Sequence, residues 1–312
     1  MSSALPSCLI CGTVDWELLD DVDYSGYQFA VRLCRRCGFV AQVPPLPSEA
    51  LKAYYAANYN QTSYKAQLAD LHITMKQPGR QRIAFLDGKN ALAGVHRALE
   101  IGPGAGSLLS LLAERDIKVE AVEADPLAAS WITDSLGFTV NLGSFTDVLA
   151  RRAADWRSNP FDLIVMVHVF EHMPDPVALL DDLRSIMSPG GRLFLEVPNI
   201  RRPFSDERKW QHYCDPGHLF YYSENSLSRV LNRGGWSVEA LTDDTMRPYR
   251  NIYCLARFVG GRAAESAAPC DPPQDMRRTW RRFVAFHPVE WYARYGWKQQ
   301  VRNLLRGSER KT

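Results

Sequence analysis

Hydrophobic positions along the chain switch repeatedly between two periods. Strand-like runs occupy Arg97 to Leu99, Lys118 to Glu123 and a buried stretch opening at Phe161, and each is followed by residues apolar at helical spacing. Ser107 to Arg115 is rich in helix formers. Pro126 opens a helix through Leu136, with Gly137 as its cap. Pro176 to Met187 is amphipathic and is stopped by Ser188-Pro189-Gly190-Gly191, after which Arg192 to Val197 returns to the strand pattern. Thr139 to Asn141, Trp236 to Leu241 and Asn251 to Phe258 add strands, and Glu224 to Arg233 adds a helix. Strand and helix alternating in this way predict an α/β chain with a doubly wound, Rossmann-like sheet of seven strands over residues 96–260.

The flanks follow other patterns. In residues 1–45, Trp16 to Asp20 and Phe29 to Leu33 read as two short strands. Val43-Pro44-Pro45-Leu46-Pro47 ends that unit, because proline blocks continuation of helix and sheet alike. Residues 46–95 open like a capped helix at Ser48 and carry a tyrosine-rich loop, Asn58 to Tyr64. In residues 261–312 a linker, Cys270 to Pro273, leads to a tail crowded with basic and aromatic side chains. Apolar residues make up 46% of the chain and the net charge is +2, which suits a globular domain and not a general polyanion binder. No apolar run approaches the ~20 residues of a membrane span, and the start lacks the basic and apolar regions of a secretion signal, so a cytoplasmic location is expected.

Glu100-Ile101-Gly102-Pro103-Gly104-Ala105-Gly106 lies where the first strand of the sheet meets its helix. Glycine serves where a turn takes unusual dihedrals or a ligand must touch backbone, and the helix behind offers free N–H groups and its positive dipole end. The spacing is E-x-G-x-G-x-G, with the last glycine one residue early for a nicotinamide fingerprint. Glu100 can bond a ligand ammonium group, and Glu123 at the next strand tip is placed for a ribose diol. AVEADP from Ala121, FDLIVMVHVFEHMPDP from Phe161 and PGGRLFLEVPN from Pro189 follow in order. Over Arg97 to Phe258 the chain therefore resembles the class I S-adenosylmethionine-dependent methyltransferases. That resemblance implies S-adenosylmethionine as cofactor, held by Glu100, Gly102, Gly104, Gly106, Glu123, Ala124 and His168. It further implies Phe145 stacked on the adenine, where many members carry an acid and this chain has Ser144. Tyr59 or Tyr64 would cover the cofactor from the preceding segment.

Cys8-Leu9-Ile10-Cys11-Gly12 and Cys34-Arg35-Arg36-Cys37-Gly38 are two C-x-x-C-G knuckles. Two such turns supply the four thiolates of a tetrahedral structural zinc site, with Cys8, Cys11, Cys34 and Cys37 as ligands; a redox or iron–sulfur site, or plain core cysteines, are the alternatives. A ribbon this small would draw most of its folding energy from the metal.

Methyl transfer to a hydroxyl or carbon acid needs a base, and histidine suits neutral pH. His172 follows the fourth strand, near the donor, and His218 lies in the loop after the fifth. His218 is the expected base and His172 the group that orients the acceptor, with Tyr222 in reserve. A four-cysteine module before this domain is similar to the sugar C-methyltransferases of deoxysugar pathways. In those a glutamate precedes the histidine of the post-sheet loop; here Gly217 stands in that place. That departure, and the missing long C-terminal domain, favour a simpler acceptor such as a sugar hydroxyl or glycan intermediate. The alternative is an enzyme acting on RNA through ribbon and tail, but Asp15, Glu17, Asp20, Asp21 and Asp23 make the ribbon acidic. The tail from Val289 to Arg306 can form a basic, aromatic helix, suited to an anionic membrane surface, a partner subunit or its own domain.

Overall fold

The computed structural model describes residues 5–24, 26–47, 49–51, 53–54, 62–201, 214–243, 251–260 and 268–285. The chain opens with β1 (Trp16–Tyr24), β2 (Tyr27–Cys34) and β3 (Val40–Gln42), then α1 (Thr62–Thr74) and α2 (Lys76–Gly88). An alternating series follows: β4 (Arg97–Ile101), α3 (Ser107–Ala113), β5 (Lys118–Glu123), α4 (Pro126–Trp131), β6 (Thr139–Leu142), α5 (Phe145–Ser158), β7 (Phe161–Val167), α6 (Pro176–Ser185) and β8 (Met187–Pro198). The last elements are β9 (Phe220–Tyr221), α7 (Glu224–Arg233), β10 (Trp236–Asp243), β11 (Asn251–Phe258) and α8 (Pro273–Ala285).

Seven strands form the larger sheet in the order β10-β11-β8-β7-β4-β5-β6. The five from β4 to β8 run parallel, and β11 and β10 close one edge antiparallel. Alternate residues feed opposite faces, as the two-residue period of a strand requires. Leu99, Ile164 and Met166 pack with α5, α6 and α7, whereas Ala98, Leu163 and Val165 pack with α2 and α3. Each fully buried side chain of this size contributes roughly 1.5–3 kcal/mol. The chain runs outward from β4 through β6 and returns to place β7 on the other side of β4. That reversal opens a crevice at the carboxyl ends of β4 and β7, where ligands bind in such sheets.

The expected seven strands are present, with two local differences. The helix from Pro176 stops at Ser185 because Met187 already pairs with Phe161, so Pro189 and the two glycines belong to the irregular start of β8. The helix from Pro126 loosens after Trp131 into a π turn, Ile132–Leu136, which Gly137 closes with φ 75°.

A second sheet has the order β1-β2-β3-β9, so its last strand comes from the loop beyond β8. Val31, Leu33 and Val40 bury one of its faces together with Tyr221 and with Met276 and Trp280 of α8. The stretch read as a linker is an anchored joint. Asp271 is buried and accepts hydrogen bonds from Asn225, Arg201 and Ser223, while its carbonyl lies where a side chain at Gly38 would stand. The tail segment Val289 to Arg306, Tyr59 and the Tyr64 side chain lie outside the described residues.

Candidate active site

The donor side of the crevice is built from the tips of β4 and β5. Gly102, Gly104 and Gly106 all have positive φ. A Cβ on Gly102 would collide with Val169 and one on Gly106 with Leu136 and Ile132, so those two glycines are demanded by the protein's own packing. A Cβ on Gly104 would meet no atom of the described residues within 4 Å. Its left-handed backbone calls for glycine, and the space beside it is open to a ligand. Glu123, buried at the end of β5, accepts the Gly104 N–H at 3.2 Å and the Asp125 N–H at 2.9 Å, which locks the two loops together. Ala124 is exposed just beyond it. Glu100 is 3% exposed and its Oε2 has no hydrogen-bond partner among the described residues. Burial pushes its carboxyl up to about 8, against the pull of Arg82. A buried orphan acid, an open glycine and a helix N-terminus at one turn fit the ammonium group and the body of S-adenosylmethionine.

Helix α1 closes over this turn. His72 Nδ1 lies 2.9 Å from the Ala105 carbonyl, the Ser107 hydroxyl donates to the His72 carbonyl, and Trp131 donates to Ala105 from the other side. His72 is a residue that sequence reasoning did not single out; one histidine in a weakly patterned helix carries no local signal. Phe145 is 7% exposed and packs in the core with Val148 and Leu149, leaving little ring for an adenine. Ser144 caps α5, accepting the Asp147 N–H at 3.2 Å.

A second group of polar side chains begins where β7 ends. His168 has φ 54°, a strained conformation for a residue with a side chain, and such strain clusters at functional sites. Its ring sits between two carboxylates, Nδ1 3.4 Å from Glu171 and Nε2 3.2 Å from Glu196. Burial disfavours its charge, but these acids outweigh burial and push it up to about 9. Glu196 in turn is paired with Arg82 of α2 and bonded by Asn251. Burial opposes the charge of Glu171 too, yet His168, His172 and His218 hold its carboxyl below the usual range.

Sequence reasoning named His172 and His218 and passed over Glu171 as a catalytic group. The fold brings all three together. The two imidazole rings are 4.7 Å apart, and His218 Nε2 is 4.0 Å from Glu171 Oε1. A carboxylate thus stands beside His218 although its loop carries Gly217 where the sugar enzymes have glutamate. Tyr222 is displaced from its reserve role: it is fully buried, and burial, then the Glu171 charge, drive its phenol well above its ordinary value.

The small sheet holds the His218 loop in place. Gln42, 2% exposed on β3, donates through Nε2 to the carbonyls of Pro216 and His218, both at 3.0 Å. Its backbone N–H bonds Leu219, whose own N–H bonds Glu171. Tyr54 donates to Asp215 at 2.6 Å, and Phe39 stacks on Phe220. The four cysteines pack in the same core as Phe39, Phe220 and Tyr222. Their sulfurs are all within 4.8 Å of one another, with Cys8 and Cys37 3.6 Å apart and Cys11 and Cys34 3.5 Å apart. Four thiolates around one zinc ion at ~2.3 Å would lie ~3.8 Å apart. The thiols of Cys37 and Cys8 drive Cys34 towards the thiolate and are themselves pushed up, since neighbouring thiols cannot all ionise without a cation.

A seven-stranded sheet of this order, with a glycine cradle at its switch point, defines a class I S-adenosylmethionine-dependent methyltransferase. The chain belongs to the methyltransferase-domain family, whose model matches residues 61–241. The ubiquinone biosynthesis O-methyltransferase of Xylella fastidiosa (strain M23) is 29% identical over 123 residues, 38% of this chain and 48% of that protein. Its namesake from Marinobacter nauticus is 26% identical over 199 residues, 57% of this chain and 79% of the relative. The chain thus spans about half the length of the first of these relatives. The 1,6-didemethyltoxoflavin-N1-methyltransferase of Burkholderia thailandensis, solved with 1,6-didemethyltoxoflavin and S-adenosylhomocysteine, is 16% identical. It covers 77% of this chain and 100% of its own, with a TM-score of 0.50, a likeness of fold.

Proposed function

We propose that this protein transfers a methyl group from S-adenosylmethionine to an oxygen of a small-molecule acceptor, with a sugar or glycan intermediate as the favoured class. One observation carries the reading: Val169, which abuts Gly102 of the glycine turn, stands two residues before Glu171 of the Glu171–His172–His218 cluster, so turn and cluster adjoin beyond the ends of the paired strands β4 and β7. The cofactor supplies an electrophilic methyl group on a sulfonium. Glu100 would take its ammonium group, Glu123 its ribose hydroxyls, and Gly104 would let it approach the backbone. His172, oriented by the Gly217 carbonyl at 2.8 Å, would position the acceptor, and His218 would take its hydroxyl proton. Alignment of the two reactants can supply ~7–11 kcal/mol, and the base a further ~10²–10⁴ in rate.

Two supporting readings belong with this one. The four cysteines are a structural zinc site, closed to chemistry because every position is filled by protein. The basic face of α8 is partly neutralised, with Arg277 paired to Glu17 of β1, which disfavours a nucleic-acid acceptor. Among the described residues no helix is long and apolar enough to cross a membrane.

The test has two stages. Calorimetry should show one S-adenosylmethionine bound per chain, and mass spectrometry should then detect the gain of one methyl group across nucleotide sugars and other hydroxyl acceptors. With an acceptor in hand, His218→Ala should lower turnover by ~10²–10⁴. Turnover within about threefold of wild type, well under that range, would remove His218 from the reaction.

A further inference from the structure

We infer that Glu171, His172 and His218 form a site for a first-row divalent cation such as Mn²⁺ or Zn²⁺. The inference rests on reading this cluster as the acceptor side and supplies its chemistry.

One carboxylate and two imidazoles offer donor atoms that all lie within 4.8 Å of one another. The carboxylate is the telling member. Glu171 is 1% exposed, and neither of its oxygens accepts a hydrogen bond among the described residues. Burying an ionised carboxylate is costly unless a countercharge and donors surround it. The nearest basic group, His168, stands 3.4 Å away and is shared with Glu196. A cation between Glu171 and the two rings would satisfy both orphan oxygens.

The histidines are set for ligation. A carbonyl can only accept, so the 2.8 Å contact of His172 Nδ1 with Gly217 puts the proton on Nδ1 and leaves Nε2 as the ligating atom. Metal-binding histidines are commonly oriented in this way by a carbonyl on the far nitrogen. His218 is buried and its Nε2 faces Glu171 at 4.0 Å. Its backbone is fixed by Gln42, by the Asp215 carbonyl and by the Leu219–Glu171 bond. Donors sharing one ion at ~2.1 Å lie ~3–3.5 Å apart, so a cation would draw these side chains together by small rotations.

Two histidines and one carboxylate leave coordination positions open, and the set suits Mn, Fe, Co or Zn rather than a thiophilic ion. An acceptor hydroxyl held at an open position becomes a stronger acid. Its proton leaves to solvent, the O–CH₃ bond forms as the S–CH₃ bond breaks, and the electron pair stays on sulfur as the neutral thioether. His218 then contributes as a ligand instead of a free base. Loss of turnover in His218→Ala follows from either role, so metal binding is the deciding measurement.

The probe is Mn²⁺, which thiolates bind poorly, titrated into the full-length zinc-loaded chain with free Mn²⁺ read by electron paramagnetic resonance. The expected result is one Mn²⁺ per chain, with affinity at least tenfold weaker in Glu171→Gln and in His218→Asn. His96→Gln, on the exposed surface, should bind like wild type. S-adenosylmethionine calorimetry on the same preparations shows that each variant is folded, and His218→Asn carries the test if Glu171→Gln is not. No saturable Mn²⁺ binding in wild type, or equal binding in folded variants, overturns the site while leaving the methyltransferase reading intact. Saturable binding lost in the variants supports the site even if no hydroxyl acceptor is methylated, an outcome that would count against the acceptor reading alone.

Discussion

The two sides of the crevice are built on opposite plans. The donor side is local: Glu100 to Gly106 and Glu123 come from two neighbouring strand tips, and most of it is backbone turn. The acceptor side is assembled from four distant parts of the chain. Glu171 and His172 follow β7, His218 sits in the loop before β9, Gln42 reaches in from β3, and Tyr54 bonds Asp215. A donor cradle built on backbone can serve a constant cofactor. An acceptor wall assembled from loop side chains and braced by a separate small sheet can be rebuilt for another substrate without disturbing the cradle. The cysteine cluster belongs to the second plan, since its knuckle runs into β3 and its buried thiols share a core with the large sheet.

If this division holds, damage to one side should spare the other. The largest effect is expected from Cys37→Ser. Releasing the knuckle should free β3 and the His218 loop, and turnover should approach the ~10²-fold loss that removal of a base causes. S-adenosylmethionine affinity measured by calorimetry should stay within about threefold, far less than that loss. A matching collapse of cofactor binding would show that the two sides are one unit.

Gly104→Val comes next and runs the other way. A branched side chain in the left-handed region costs ~1–2 kcal/mol and would project into space open among the described residues. Cofactor affinity should fall between about tenfold and a hundredfold, ~1.4 kcal/mol per decade, with the melting temperature little changed. Normal binding by this variant would place the cofactor elsewhere.

Gln42→Leu should be milder. It strands the Pro216 and His218 carbonyls, at ~1–3 kcal/mol, so turnover should drop about tenfold at unchanged cofactor affinity. An effect on the cofactor equal to that on turnover would argue for general destabilisation.

The smallest effect is a proton. Glu100 is raised from 4.5 to about 8, so between those limits the native chain holds a proton that the unfolded chain has lost. Stability should therefore decline as pH rises through that window, and Glu100→Gln should flatten the slope. An ammonium ligand favours the ionised acid, so binding near pH 7 should release close to one proton, seen as buffer-dependent heat in calorimetry. Release undiminished in Glu100→Gln would assign the proton to another group.

What the sequence determined by itself were features whose cause is local. Periods of two and about 3.6 residues marked the strands and helices, glycine spacing marked the donor turn, and paired C-x-x-C knuckles marked the cysteine cluster. These depend on residues a few positions apart, so reading them needs no fold. What only the tertiary structure decided were contacts between distant segments. Glu171 looked like a loop acid until β9 paired with β3 and brought His218 beside it. Phe145 looked free to stack on adenine until α5 turned it into the core. Cys270 to Pro273 looked like a linker until Asp271 was buried against Gly38, Ser223 and Asn225. For Glu171 and Asp271 the deciding partner lies tens of residues or more away, and in all three cases the energy that selects the arrangement comes from burial and charge pairing that exist only once the sheets have formed.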